Sequence, residues 1–365
     1  MSEEHLALLW FHMIPGIGRS ALFKLREGFA SFVAARNATP NELRRHTNLS
    51  PALISAIAGA SSQNFRQARR HLDSLNAQLI SFWDPSYPAL LKEIHDPPAV
   101  LYLLGTLPDN DAFAIVGSRK ATPGGLQLTE EIAAELAARG ITIVSGLARG
   151  IDSAAHSGAL SASGPTIAVL GCGIDRIYPP ENTRLFHRIV EKNAVITEYA
   201  PGTPPLPGHF PGRNRIISGL SHGTLVVEAA EGSGSLITCD FALDQGRDVF
   251  AVPGAVKNRT SSGPNRLIKD GAHVVTDAGD ILQALWPALP TQQQQSVESA
   301  LLEKLSGQQK NLYTILDSEP RHIDEIGRKC GLTPMEVSAI LLDLELQGAV
   351  QALPGRHYIR GQLSQ

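Results

Sequence analysis

Between residues 112 and 285 the sequence repeats one pattern, a short apolar run followed by a turn of small residues and then by helical spacing. The run Ala112–Val116 leads into Gly117-Ser118-Arg119, and the run Thr166–Leu170 leads into Gly171-Cys172-Gly173. Further runs of the same kind are Ile141–Val144, Ala194–Thr197, Thr224–Val227, Asp248–Val252 and His273–Thr276. Fully apolar strands that alternate with helices predict an α/β fold with a Rossmann-like, doubly wound parallel sheet.

The glycine-rich turns of this pattern all follow strands. In open parallel sheets, ligands bind outside the carboxyl ends of the strands, so the turns are expected to converge on one crevice. The passage 209–240 brings further signals to that crevice, because Phe210 stands beside Arg213 and Arg215. The same passage contains Gly-Ser-Gly-Ser at 232–235, before a predicted helix. Such a loop presents unpaired backbone N–H groups and the positive end of the helix dipole, which favours phosphate binding.

These residue types predict a site for single-stranded DNA. Arginine binds phosphate in a bidentate manner, and we expect Arg119, Arg213 and Arg215 to face one backbone segment. Phe210 offers a stacking face for a base that a single strand exposes. Taken singly, Phe210 also fits a core position, and each arginine also fits an ordinary surface charge. The backbone amides expected to add neutral donors are those of Gly117, Ser118, Gly146, Gly234 and Ser235.

An enzymatic interpretation has weaker support. Asp152 and His156 are four residues apart on one predicted helix, which is compatible with an acid–base pair. The favoured interpretation is that Asp152 caps the first helical turn and that His156 is satisfied against it. Glu228 ends a buried strand and is expected to accept hydrogen bonds from loop amides. Neither the turn at Gly117 nor that at Gly171 completes G-x-G-x-x-G, and no P-loop occurs, so no nucleotide cofactor is expected.

Composition and charge further narrow the classes of protein to which the chain could belong. The net charge of −3 gives no global attraction to nucleic acid, so a binding site must be a local patch. No apolar run reaches the ~18 residues of a membrane helix. The acidic opening MSEEHLALLW is unlike a signal peptide, and a cytoplasmic protein without membrane contact is therefore expected. The three cysteines are far apart, which predicts neither a disulfide framework nor a metal site.

Four segments are predicted along the chain. Residues 1–80 are expected to form a helical domain of the helix-hairpin-helix or SAM-like type, residues 81–288 the extended Rossmann-like domain, 289–296 a linker, and 297–365 a winged-helix-like domain. The turn at 15–18, Pro-Gly-Ile-Gly, is compatible with a DNA-contacting hairpin and equally with a hairpin that only packs. The predicted third helix of the last domain is acidic, which favours protein contact or packing over duplex readout.

The sequence also resembles the DNA-processing protein family called DprA or Smf. The resemblance covers residues 81–285 and rests on five phrases in order: VGSRKATPGG (116–125), VSGLARGIDSAAHSGAL (144–160), AVLGCGIDRIYPPEN (168–182), FPGRNRIISGLSHGTLVVEAAEGSGSLIT (210–238) and GRDVFAVPG (246–254).

The resemblance implies a cytoplasmic, non-enzymatic mediator that binds and protects incoming single-stranded DNA in natural transformation. It further implies a homodimer that helps to load RecA, with RecA and other transformation proteins as partners. The family's phosphate pocket corresponds here to Gly117, Ser118, Arg119 and the run Arg213-Asn214-Arg215. The alternative from another class is a nucleotide-processing enzyme or a nucleotide sensor on a related Rossmann-like fold.

Overall fold

The computed structural model describes residues 1–289, 302, 305–317 and 319–361. The chain forms two compact units, Met1–Trp286 and Pro287–Gln365. No helix of the described residues is both long enough and apolar enough to cross a membrane.

The first unit begins with six helices. They are α1 (Glu3–His12), α2 (Arg19–Gly28), α3 (Phe32–Asn37), α4 (Pro40–His46), α5 (Pro51–Ala58) and α6 (Ser62–Ser74). Most begin at a serine or threonine whose side chain accepts a hydrogen bond from the first turn, as Ser31 does for α3 and Thr39 for α4. The chain then enters strand β1 (Gln78–Ser81), so the predicted boundary after residue 80 falls inside a strand of the sheet.

Nine strands make one sheet. After β1 the strands are β2 (Val100–Gly105), β3 (Ala112–Val116), β4 (Thr142–Ser145), β5 (Thr166–Val169), β6 (Ala194–Thr197), β7 (Gly223–Val226), β8 (Asp248–Ala251) and β9 (His273–Val274). The intervening helices are α7 (Ala89–Lys92), α8 (Pro123–Ala138), α9 (Ile151–Ser161), α10 (Thr183–Lys192), α11 (His209–Gly219), α12 (Gly234–Asp244), α13 (Ser262–Lys269) and α14 (Ala278–Leu285).

The strand order is β1-β2-β6-β5-β4-β3-β7-β8-β9. The seven strands from β6 to β9 pair in parallel, which confirms the predicted Rossmann-like sheet, whereas β1 and β2 pair antiparallel at one edge. The chain extends from β3 to β6 in one direction and then crosses back to β7 on the other side of β3. The carboxyl ends of β3 and β7 therefore form the topological switch point.

The sheet has a hydrophobic core on each face. Successive residues of β2 alternate between the cores, with Tyr102 on one side and Leu103 on the other, as the pleat of a strand requires. The core that contains Tyr102 also contains Leu8 and Phe11 of α1, so the amino-terminal helices pack directly on the sheet. The other core contains Ile216 of α11.

Helix α11 differs most from its prediction. The apolar run before Gly223 by itself predicts only a short helix over Ile216–Leu220. The helix in fact begins at His209 and includes the whole Arg213-Asn214-Arg215 run. Pro211 does not prevent this, because proline is tolerated in the first turn, where backbone N–H groups have no helical partner.

The second unit has the predicted winged-helix arrangement. Its elements are α15 (Gly307–Ile315), β10 (Arg321–His322), α16 (Ile323–Cys330), α17 (Pro334–Leu346), β11 (Val350–Leu353) and β12 (His357–Arg360). The strands pair in the order β10-β12-β11, and the helices enclose a core that includes Leu312, Ile326, Val337 and Leu341. The predicted linker, 289–296, lies outside the described residues apart from its first position.

Candidate nucleic-acid interface

A cavity of about 660 Å³ lies at the switch point, where the turn after β3 meets the loop after β7. The sequence-predicted residues that line it are Gly117, Ser118, Arg119, Phe210, Arg213, Asn214, Gly234 and Ser235. Gly146 and Arg215 were predicted with them but do not line this cavity. Lys120, Tyr178 and Glu231 line it as well and were not predicted.

The turn after β3 is held tightly against its neighbours. A side chain at Gly117 would place Cβ 2.6 Å from Ile151 and 2.9 Å from the carbonyl oxygen of Glu228, so only glycine fits there. The Ser118 amide donates to that same oxygen at 2.7 Å, and this donor is therefore satisfied within the protein. The side chain of Arg119 is exposed, and its guanidinium carbon lies 5.6 Å from the centroid of the Phe210 ring.

The ring of Phe210 has the guanidinium group of Arg119 on one side and the ring of Tyr178 as a second neighbour. Its half-buried side chain fits against Gly171, where an added Cβ would approach the ring to 2.8 Å. The ring centroid of Tyr178 is 5.5 Å from that of Phe210. Tyr178 follows the third parallel strand in the phrase Ile-Tyr-Pro-Pro, and the predicted convergence of turns at this edge was the signal that could have indicated it. The cavity therefore combines two aromatic faces with an adjacent guanidinium group.

Arg213 contributes a fixed charge to the cavity. Its side chain is buried, and Nη1 donates to the carbonyl oxygens of Gly146 at 2.8 Å and of Val169. Its Nε donates to the Asn214 side chain at 3.2 Å. Burial lowers the pKa of Arg213, and the charge of Asp152 opposes that shift. The guanidinium group thus ties the ends of β4 and β5 together while it holds positive charge beside the cavity.

Arg215 does not line the cavity but pairs with carboxylates elsewhere in the fold. The expectation that three guanidinium groups face one backbone segment is therefore corrected. Its Nη atoms bind the Glu198 carboxylate at 2.6 and 2.7 Å, and its Nε binds the Asp96 carboxylate at 3.0 Å. The physical reason is the extent of α11, because residues two apart on a helix point in different directions. Arg213 faces the cavity, whereas the buried Arg215 pairs with the partly buried Glu198 and the half-exposed Asp96.

Several predicted amide donors are also engaged within the protein. The Gly146 amide donates to the Asp152 carboxylate at 3.2 Å, and the Ser235 amide donates to the Ser233 hydroxyl, which caps α12, at 3.4 Å. The Asn214 side chain donates to the Gly234 carbonyl oxygen at 3.0 Å and so fixes the start of α12. The site therefore depends more on side chains than the sequence indicated.

The possible catalytic residues are not arranged as a pair. Asp152 is buried and accepts hydrogen bonds from the amides of Gly146 and Ala148, so it caps the turn before α9 rather than the first turn of the helix. His156 hydrogen-bonds the Thr166 hydroxyl at 2.8 Å instead of Asp152. Burial raises the pKa of Asp152 and lowers the pKa of His156 to about 3. Both the acid–base pair and the satisfaction of His156 by Asp152 are thus wrong.

Glu228 behaves as predicted. Its carboxylate accepts hydrogen bonds from the backbone N–H of Thr122 at 3.0 Å and from the Thr122 hydroxyl. Glu228 thereby connects the end of β7 to the start of α8. Across the described ranges, no group of three or more histidine, cysteine, aspartate or glutamate side chains could hold a metal ion.

Comparisons with known proteins agree with this architecture. The family model described as DNA recombination-mediator protein A matches residues 78–286, and that of the DprA winged helix domain matches residues 294–356. The chain is 36% identical to the protein Smf of Synechocystis sp. over 98% of this chain and 99% of the relative. It is 41% identical to the protein Smf of Escherichia coli over 79% of each chain.

Two solved structures are similar as well. DprA from Streptococcus pneumoniae has a TM-score of 0.57 and 37% identity, covering 73% of this chain and 98% of that one. DprA from Helicobacter pylori, reported with its single-stranded DNA binding mode, has a TM-score of 0.53 and 29% identity, covering 59% and 98%. The fold, both matched domains and the full-length relative lead to one conclusion: the chain belongs to the DprA/Smf family of DNA recombination mediators.

Proposed function

We propose that the chain binds single-stranded DNA in the cavity at the switch point, and that it does so as a mediator rather than as an enzyme. The observation that carries the proposal is the placement of Arg119 over Phe210, with Tyr178 beside that ring. This arrangement offers stacking faces to bases and a guanidinium group to the backbone that connects them.

The residues of the cavity take separate roles in this proposal. Among the ion pairs between described residues, none includes Arg119, so its guanidinium group is available to a phosphate. Lys120 is exposed on the same turn and adds a second cation. Arg213 supplies positive charge from a fixed position, because its hydrogen bonds already hold two strand ends. Phe210 and Tyr178 stack on bases, which a single strand exposes and a duplex covers.

The catalytic alternative has no supporting arrangement in the cavity. Asp152 is occupied by two amides, and His156 is buried and neutral at physiological pH. A general acid and base must be within hydrogen-bonding reach of the groups they serve. Nucleotide processing is therefore less well supported than single-strand binding, and nucleotide sensing is the second alternative.

The cellular part of the proposal follows from family membership. We infer that the chain acts in the cytoplasm as a homodimer, protects incoming single strands during natural transformation and helps to load RecA onto them. The family's role as a DNA recombination mediator supports this assignment. Sedimentation of the purified chain tests the dimer, and RecA filament formation on single strands, with and without the chain, tests the loading role.

The experiment that tests DNA binding compares one oligonucleotide as a single strand and as a blunt duplex, using fluorescence anisotropy and no added nucleotide. We expect the single strand to bind at least about tenfold more tightly, because base stacking contributes about 1–3 kcal/mol per base. Equal affinities would contradict the proposed cavity. Hydrolysis of ATP or GTP by the purified chain, abolished by Asp152→Ala, would instead establish the enzymatic alternative.

A further inference from the structure

The third helix of the winged helix, α17, has two apolar faces. One face carries Val337, Leu341 and Leu344 into the core of its unit. Away from that core, Met335, Leu342 and Leu346 are 85%, 58% and 80% exposed. The helix thus presents large apolar side chains to solvent over its whole length, which a helix that only packs would not do.

The exposed apolar residues form a continuous row. Ala339, which is also exposed, lies between Met335 and Leu342, so the row reads 335, 339, 342 and 346. Spacings of four, three and four residues are those of the a and d positions of a heptad repeat, which meet a second helix. We name this row the apolar seam of α17. Helix α17 has 13 residues and is about 20 Å long, so the seam can contact some three turns of a partner helix.

The charge beside the seam determines what can cover it. Glu336, Asp343 and Glu345 are the charged residues between 333 and 348, and no lysine or arginine occurs in that interval. Glu345 is exposed, and the Asp343 carboxylate accepts hydrogen bonds from the side-chain amides of Gln309 and Gln347. A DNA backbone would be repelled, and a second copy of the helix would place acid against acid.

We propose that the apolar seam of α17 is the docking site for an amphipathic helix of a different protein, one with an apolar stripe flanked by lysine or arginine. Burial of the seam would remove three large side chains from water, and basic flanks would complement the acidic rim. This inference goes beyond single-strand binding and rests on none of the residues of the cavity.

The test uses the full chain and two synthetic peptides of three heptads each. Both peptides carry leucine at the a and d positions; one has lysine at the e and g positions and the other has glutamate there. We expect the lysine peptide to bind and the glutamate peptide to remain unbound, as measured by anisotropy of the labelled peptides. Leu342→Asp and Leu346→Asp should each weaken binding at least about tenfold, because the loss of a buried leucine costs at least ~1.5 kcal/mol.

The matched control is Leu243→Asp, at a leucine that is 60% exposed on α12 of the other unit. This variant should bind the lysine peptide like the wild type, and circular dichroism verifies the fold of each variant. Glu345→Lys should weaken the lysine peptide and strengthen the glutamate peptide, a reversal that mere loss of packing would not produce.

Three outcomes would overturn the proposal. The first is a lysine peptide that fails to bind or that binds no better than the glutamate peptide. The second is self-association of the chain that Leu346→Asp abolishes, which would assign the seam to a second copy. The third is duplex DNA binding that Leu342→Asp abolishes, which would make α17 a recognition helix.

Discussion

The cavity at the switch point and the third helix of the winged helix are both places where their fold classes contact nucleic acid. Their surfaces differ in chemistry. The cavity offers Arg119 and Phe210 beside the fixed charge of Arg213, whereas α17 offers an apolar seam with Glu336 and Glu345 at its rim. The fold therefore supplies the position of a site, and the side chains decide which class of ligand binds there.

The largest effect is expected for Arg215, which separates support of the fold from contact with DNA. Arg215→Ala would leave the Glu198 carboxylate, now paired at 2.6 Å, without its partner in a largely buried place. Removal of one member of such a pair costs about 3–5 kcal/mol of unfolding free energy. Urea unfolding followed by tryptophan fluorescence measures this loss of unfolding free energy, because Trp10, Trp83 and Trp286 all lie in the first unit.

The folded fraction of the Arg215→Ala protein should still bind single strands. Its affinity should stay within about twofold of the wild type, since no contact with the cavity is lost. Arg188→Ala, at an exposed arginine of α10, is the control and should change stability by less than about 0.5 kcal/mol. Lost DNA binding without lost stability would place Arg215 in the interface after all.

The two units should also differ in their response to acid. Burial lowers the pKa of His12 to about 4 and that of His156 to about 3. Because the unfolded chain binds these protons first, the stability contributed by each neutral histidine is present above pH ~6.5 and is lost as pH falls toward the folded pKa. At pH 5 the loss is roughly 2 kcal/mol for each histidine.

In the winged helix, by contrast, the pKa values of Asp317, Glu325 and Glu336 are lowered by side-chain hydrogen bonds. Their contribution is therefore present above the ordinary carboxylate pKa of about 4.3 and is lost only below it. Urea titrations at pH 7 and pH 5 should show the stability gap between wild type and His156→Ala shrinking by about 2 kcal/mol. His187→Ala, at an exposed histidine, is the matched control for loss of an imidazole from the surface.

Charge and stacking within the cavity can be separated by salt. Arg119→Ala should weaken single-strand binding by about 1.5–3 kcal/mol, as for a hydrogen bond with a charged partner. It should also reduce the slope of log affinity against log salt by about 0.7 per lost phosphate contact. Phe210→Ala should weaken binding by about 1–3 kcal/mol and leave the slope unchanged, because no charge is removed.

Salt titration of oligonucleotide affinity measures both variants, again with Arg188→Ala as the exposed arginine control. If Phe210→Ala flattened the slope as much as Arg119→Ala, the division between a phosphate contact and a base platform would be wrong.

The smallest effect is expected for removal of the winged helix. A chain that ends at residue 289 retains the entire first unit and every residue of the cavity. Its affinity for single strands should remain within about twofold of the full chain in the same anisotropy measurement, because α17 repels phosphate. A large loss in a truncated chain that melts cooperatively would show that the winged helix contributes to the DNA site.

Much of the sheet could be predicted because its strands are short, fully buried and bounded by small residues. Strands Ala112–Val116 and Ala194–Thr197 begin and end where the sequence indicated. Strand β1 was not predicted, because four residues, Gln78–Ser81, at the edge of a sheet carry too little periodicity to stand out. Its place depends on pairing with β2, in a register that runs from Gln78 opposite Leu103 to Ser81 opposite Val100.

The local sequence determined that glycine turns, a phenylalanine and arginines would gather at the carboxyl edge of a parallel sheet, since strand direction and βα order fix that edge. It could not determine the partners of each side chain. Arg215 donates a hydrogen bond to the Asp96 carboxylate, 119 residues earlier in the chain. Arg213 donates to the Gly146 carbonyl oxygen, 67 residues earlier. A buried guanidinium group must be satisfied by whatever acceptors the packed fold places around it, so only the tertiary structure decided which arginine faces the cavity.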